Sequence, residues 1–236
     1  LEKEIALRYL KPKKKEGFLN IISLFSFIGI SLGVAVLIIV MSVMNGFRTE
    51  LVNKILGFNP HMVVQPYSDA INLNKIKEKN LKNISKNLIL SNSGEGVLIN
   101  KDSTKGLAFR GYSTKDFLEL EFIRKRNFSG NPAKLIDNGI SIGKNLSLDY
   151  DLKLGDEILL MSTSGVQTIV GTMPKQEIFL ITSIFDSGLG EFDRNVIFIN
   201  IKTLENFLDL SDTSRSLEIY LNNPIDINSL KVVVQD

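Results

Sequence analysis

The chain has 236 residues, of which 44% are hydrophobic and 23% charged, with a formal net charge of +2. So small a positive excess leaves no electrostatic footprint for nucleic acid. With no cysteine in the sequence, disulfides and thiolate-held metals are excluded.

Residues 1–17 read as a short amphipathic helix, "LEKEIALRYL", followed by a basic turn bracketed by Pro12 and Gly17. Such a helix suits a membrane face, its lysines near anionic headgroups; the alternative is a frayed terminus. Residues 18–47 then run without a charged side chain. About 20 apolar residues cross a bilayer core, whereas the apolar part of a signal peptide is about 7–15 residues long and ends in a small-residue cleavage site. This run is longer and ends in "SVMNGF", so a retained transmembrane helix is expected, with a buried helix of a soluble protein as the alternative. Lys3, Arg8, Lys11, Lys13, Lys14 and Lys15 precede it, and only Arg48 and Lys54, with Glu50 between them, follow closely. The positive-inside rule therefore places residues 1–17 in the cytoplasm and the chain after Phe47 outside it. Gly29 and Gly33 form a G-x-x-x-G, and Ser31 and Ala35 repeat the small-residue spacing. Small residues let a second helix approach closely in lipid, so Gly29 and Gly33 are expected helix-packing positions.

Residues 48–59 continue as a helical stalk. Phe47, Leu51 and Ile55 share one face, Gly57 ends the pattern and Pro60 enforces the break. Residues 60–236 change character. "HMVVQ" reads as a strand. "LNKIKEKNLKNISKNLIL", from Leu73 to Leu90, reads as a helix, with Leu73, Ile76, Leu81, Ile84 and Leu88 at helical spacings. "GVLIN" and "KGLAFRGY" read as paired strands, and "TKDFLEL" as a short helix opened by a Thr cap. "GISIGKNLSLDYDLKLGDEILLM" reads as strand, short helix, Gly-Asp turn, strand. "VQTIVGTMPKQEIF" reads as two short strands held apart by Ile169 to Pro174. "EIFLITSIF", "NVIFIN" and "SLEIYL" are strands, with a helix over "IKTLENFLDL". The class is α+β: an N-terminal transmembrane helix with its stalk, then a mixed α/β domain.

No catalytic constellation emerges, and no cofactor or metal site is predicted. His61 is the sole histidine, and a lone histidine beside a strand is more often a cap than a base or ligand. "GISIGKNL" lacks the G-x-x-x-x-G-K-[ST] spacing of a phosphate loop. Asp149, Asp151 and Asp156 do not follow the spacing of a calcium loop. Any ATP chemistry belongs to another chain.

The run "IALRYLKPKKKEGFLNIISLFSFIGISLGVAVLIIVMSVMNGFRTELVNKILGFNPHM" resembles the start of the lipoprotein-releasing transporter permeases, the LolC/LolE family. "GISIGKNLSLDYDLKLGDEILL" resembles the extracytoplasmic domain of the wider MacB/FtsX-type permeases. The resemblance implies a four-span permease with a periplasmic domain between its first two spans, so that the chain would be an N-terminal part lacking three spans. It implies an inner-membrane location. It also implies a cytoplasmic LolD-like ATPase, a second permease subunit, lipoprotein substrates, surrounding membrane lipids and the periplasmic chaperone LolA as partners, and a permease that is not itself an enzyme. In LolC-type members a long β-hairpin, the hook, enters the chaperone. The matching positions are Thr168, Ile169, Val170, Gly171, Thr172, Met173, Pro174 and Gln176, with Ile169 standing where one common form of the family has proline. The residues fit that role: Gly171 relaxes the backbone, Pro174 stiffens it, and Ile169, Val170 and Met173 offer apolar contacts. The alternative is a loop folded back onto its own domain. Val40, Val43, Met44 and Phe47, at the outer end of the span, are the candidates for lining a lipoprotein cavity; lipid exposure or helix packing is the plainer reading. Two other functions compete: a MacB- or FtsX-like permease for efflux or cell-wall hydrolase control, and a single-span sensor or binding module.

Overall fold

The computed structural model describes residues 2, 4–5, 17–66, 70–72, 85–100, 103–125, 127–168 and 171–222. The chain divides into two compact units, Leu1–Val52 and Asn53–Asp236.

The first unit is dominated by helix α1, Gly17–Phe58, whose last turns belong to the second. At about 1.5 Å per residue its 42 residues span about 63 Å, roughly twice a bilayer core. Among the described residues it is the one helix long and apolar enough to cross a membrane. Its apolar side chains, from Ile21 to Phe47, are exposed. The helix passes through the expected stalk without interruption and ends at Phe58, one residue beyond Gly57.

Among the described residues of the second unit nine strands form one sheet: β1 Met62–Val64, β2 Ser85–Asn100, β3 Ser103–Tyr112, β4 Phe128–Gly130, β5 Gly139–Gly143, β6 Glu157–Thr168, β7 Gly171–Phe185, β8 Val196–Asn200 and β9 Ser216–Leu221. Their order is β1-β9-β2-β3-β8-β5-β7-β4, and β6 pairs with both β2 and β7. That double pairing closes β2, β3, β8, β5, β7 and β6 into a ring. Most neighbours are antiparallel; β3 with β8 and β5 with β7 are parallel. Short helices connect the strands: α2 Thr114–Glu119, α3 Glu121–Arg124, α4 Lys144–Asp149, α5 Gly190–Asn195 and α6 Ile201–Leu208.

One core gathers Leu98, Phe109, Ile142, Leu160, Phe179 and Ile199 with the buried face of α6, Leu204, Phe207 and Leu208. A second is largely aromatic: Phe58, Tyr112, Phe117, Phe122, Phe185 and Phe198. Between strands β2, β3 and β9 lies a buried carboxylate, Glu218. It accepts hydrogen bonds from Ser91 Oγ (2.8 Å), Tyr112 Oη (2.9 Å) and Tyr220 Oη (3.0 Å). Burial, then the neighbouring charge, pushes both phenols well above their ordinary value.

Two local expectations are corrected. The helix expected from Leu73 to Leu90 is not one at its described end: residues 85–90 open the 16-residue strand β2, and 73–84 lie outside the described residues. The cap of α2 is Ser113 rather than Thr114; its Oγ accepts from the Asp116 N–H at 3.1 Å. The strand pair over "GVLIN" and "KGLAFRGY" is present as the β2–β3 hairpin, and the strand–helix–turn–strand series from Gly139 as β5, α4 and β6.

Candidate functional site

The strands β6 and β7 pair antiparallel from Glu157↔Leu180 outward to Thr168↔Gly171. Only 169 and 170 intervene, and they lie outside the described residues. Two short strands separated by Ile169 to Pro174 were expected; instead Gly171, Thr172, Met173 and Pro174 are themselves strand. Proline is tolerated here because, among the described residues, β7 pairs with β5 from Leu180 onward and no strand lies on the other edge beside Pro174. Gly171 enters β7 with φ +123°, a conformation that favours glycine.

Along this arm Met173 is 61% exposed, and Pro174 and Gln176 are exposed as well. Thr168 and Thr172 are strand residues paired with Gly171 and Gln167. Ile169 and Val170 fall outside the described residues. Farther down β7, Ile178 and Leu180 are also exposed.

The other predicted positions lie on α1. Val40, Val43, Met44 and Phe47 are each more than half exposed. A Cβ added at Gly29 or Gly33 would meet nothing within 4 Å, so both glycines offer open surface to a neighbour.

A second built feature was not anticipated: the end of α1 is seated in the aromatic core. The Phe58 ring lies 3.8 Å from Phe192 and 4.6 Å from Phe122, centroid to centroid. Arg110 donates from Nη2 to Asn59 Oδ1 at 3.1 Å, and its guanidinium stands 5.2 Å over the Phe192 ring. His61 has a structural role. Its Nδ1 accepts the Leu221 N–H at 2.8 Å, which leaves Nε2 to donate to the Leu56 carbonyl at 3.1 Å. The imidazole thus joins the helix end to β9. The only sequence signal for this seat was the apolar residue just before Asn59-Pro60.

The groups that tempted other chemistries are occupied. Lys144 of "GISIGKNL" pairs with Asp186 at 2.8 Å, and that hydrogen bond holds the Asp186 carboxyl below its ordinary value despite partial burial. Asp149 pairs with Arg194, and Asp156 accepts from the Lys153 N–H. Among the described residues no three His, Asp or Glu side chains are grouped to hold a metal.

A family model described as the MacB-like periplasmic core domain matches residues 23–235. The lipoprotein-releasing system transmembrane protein LolC of Neisseria meningitidis serogroup B is 27% identical over 230 residues, 95% of this chain and 55% of that protein. The LolC of Buchnera aphidicola subsp. Schizaphis graminum is 32% identical, covering 97% of this chain and 57% of that one. The LolE of Haemophilus influenzae is 28% identical, covering 96% and 56%. The chain spans about half the length of the curated relatives it matches.

Proposed function

The chain belongs to the family of the MacB-like periplasmic core domain, and on that footing we propose that it serves as a LolC-like permease subunit of an ATP-driven lipoprotein-releasing complex. The observation that carries this reading is similarity to LolC and LolE proteins along nearly the whole chain, span and domain together. That similarity is more specific than an assignment to efflux or to cell-wall hydrolase control.

In this reading α1 crosses the inner membrane with residues 1–17 in the cytoplasm and the β-rich domain in the periplasm. The subunit does not hydrolyse ATP; a LolD-like partner does, and a second permease helix packs at Gly29 and Gly33. Val40, Val43, Met44 and Phe47 face the lipoprotein's acyl chains. The tip of the β6–β7 arm, Thr168 to Pro174 with Gln176, docks into a LolA-type chaperone. The exposure of Met173 at the end of a paired arm supports that docking. Fully burying one such apolar side chain is worth about 1.5–3 kcal/mol. Three together would return about 4.5–9 kcal/mol before the cost of association, so the tip supplies part of a weak, transient contact and the partner must add the rest.

A photo-crosslinker at Met173 in cells tests the docking. The expected product is a covalent adduct with a soluble periplasmic chaperone. Crosslinks confined to the chain itself would remove the arm from the mechanism.

A further inference from the structure

We propose that Ser164 and Lys175 are positioning residues, which fix the direction in which the β6–β7 arm leaves the domain by docking its elbow on the C-terminal turn of α6. The arm is not a straight continuation of the ring. Between the pairs Met161↔Gln176 and Gly165↔Pro174, β6 carries Ser162, Thr163 and Ser164 while β7 carries Lys175 alone. Surplus residues on one strand bend it and sharpen its twist. The lower part of β6 is locked by its pairing with β2, from Gly96↔Ser162 to Ile99↔Leu159. Beyond the bulge that ladder no longer dictates where residues 165–168 and 171–174 point.

Two side chains at the bulge reach a single helix. Lys175 Nζ donates to the Asn206 carbonyl at 2.9 Å, and Ser164 Oγ donates to the Leu208 carbonyl at 2.6 Å. Both acceptors belong to the last turn of α6, where carbonyls lack intrahelical partners. The Glu205 carbonyl already receives the N–H groups of Asp209 and Leu210. An ammonium also suits the negative end of a helix dipole. Lys175 is held from its other side by Glu177 at 2.8 Å. Thr163 Oγ1 ties the bulge to β2 through the Glu95 carbonyl at 3.1 Å.

The helix is a fixed reference. Leu204, Phe207 and Leu208 are buried in the ring's core. Leu204 and Leu208 sit against Gly111 and Gly94, where an added Cβ would stand 2.7 and 2.2 Å from their side-chain carbons. Glu205 is gripped by the Arg215 fork at 2.6 Å on each oxygen and by Asn92 at 3.2 Å. The direction of the arm is thereby referred to the core through two hydrogen bonds.

The absence of native cysteine makes the test direct. The full chain in detergent micelles carries Met173→Cys on the arm and Lys202→Cys on the exposed side of α6, both spin-labelled, and pulsed electron resonance reads their distance distribution. The expected result is a narrow distribution for the parent and a broadened or displaced one for Lys175→Met with Ser164→Ala. Lys175→Arg, which still donates, should restore the narrow form. An unchanged distribution in the double variant overturns the proposal. A second readout rests on the docking role proposed above. In unlabelled chains, capture of the chaperone from a crosslinker at residue 173 should fall several-fold in the double variant and recover with Lys175→Arg. Broadened distances with no capture by the parent would uphold the positioning role and remove the docking role. Reduced capture with unchanged distances would overturn the positioning role.

Discussion

Replacing Phe58 with alanine should loosen the second unit at the point where the long helix enters it. Phe58 is 3% exposed. Its ring contacts those of Phe192 and Phe122 and lies 6.4 and 6.3 Å from Phe185 and Phe198. Truncating a buried phenylalanine costs about 3–5 kcal/mol, because transfer energy is lost and the cavity closes only in part. These neighbours are themselves packed on one another, Phe185 on Phe198 at 4.9 Å and Phe117 on Phe198 at 5.2 Å. They cannot easily collapse into the space, which favours the upper part of that range. For a domain of this size each kcal/mol moves the melting temperature by about 2–4 °C, so calorimetry of the full chain in detergent should show a fall of roughly 6–20 °C. Phe58→Leu, which keeps most of the volume, should fall between the two. The change should also raise amide exchange at His61, whose N–H donates to the Ile219 carbonyl at 3.0 Å beside the seat. A fall below about 3 °C would mean that the ring does not seat the helix, and the stabilising role assigned to the aromatic core would be wrong.

Gly143→Ala should be poorly tolerated for lack of space: φ is an ordinary −76°, but the new Cβ would stand 2.0 Å from the Asp193 carbonyl oxygen. Urea unfolding should show a loss near the upper end of the overpacking range, about 3 kcal/mol; a midpoint like the parent's would contradict the close approach of α4 and α5. Glu205→Gln should flatten the pH dependence of stability. Burial alone would raise Glu205, but the bonds from Arg215 and Asn92 outweigh it and hold the carboxyl below its ordinary value of 4.5. The unfolded chain therefore takes up the proton more readily, so the carboxylate's contribution is present above pH 4.5 and lost as pH falls through the lower folded value. Parallel urea midpoints for parent and variant between pH 5 and pH 3 would refute this. Gly29→Leu with Gly33→Leu should reduce co-purification of a second permease subunit several-fold, and unchanged co-purification would show that these glycines do not hold that subunit.

Much of the fold was legible where one periodicity acts alone. The uncharged run of residues 18–47 and the apolar spacing of α6 each carry an undisturbed pattern. Strand β2 does not. Its buried positions include Ser85, Ser91 and Asn92, so the alternation of apolar and polar residues is broken, and Ile84 with Leu88 imitates a helix face. Ser91 and Asn92 are buried because their partners arrive from far along the chain: Ser91 meets Glu218, and Asn92 meets Glu205 and Ser214. A local pattern cannot register a bond made across more than a hundred residues. The seat of α1 was hidden for the same reason, since Phe58 becomes a core residue only once Phe122, Phe192 and Phe198 have been brought around it.

The arm illustrates how a misread length changes the physics of a contact. A six-residue apolar loop would need to be ordered by its partner, at about 1–2 kcal/mol of backbone entropy per residue. That cost would consume most of what a few buried side chains return. In the structure the ladder runs out to Thr168↔Gly171, so Met173 is already held in a strand opposite Val166. Pro174, which the sequence places in the gap between the two strands, pairs with Gly165 at the outer edge of the bulge, where a missing N–H is tolerated beside the open edge. Most of the ordering entropy has therefore been spent during folding, and a partner meeting the arm gains its contacts at a lower cost. The same stiffness makes direction matter. An arm held in one direction cannot bend to a target elsewhere, so under the proposed docking role the hydrogen bonds from Ser164 and Lys175 to α6 would bear on binding although neither residue lies at the tip.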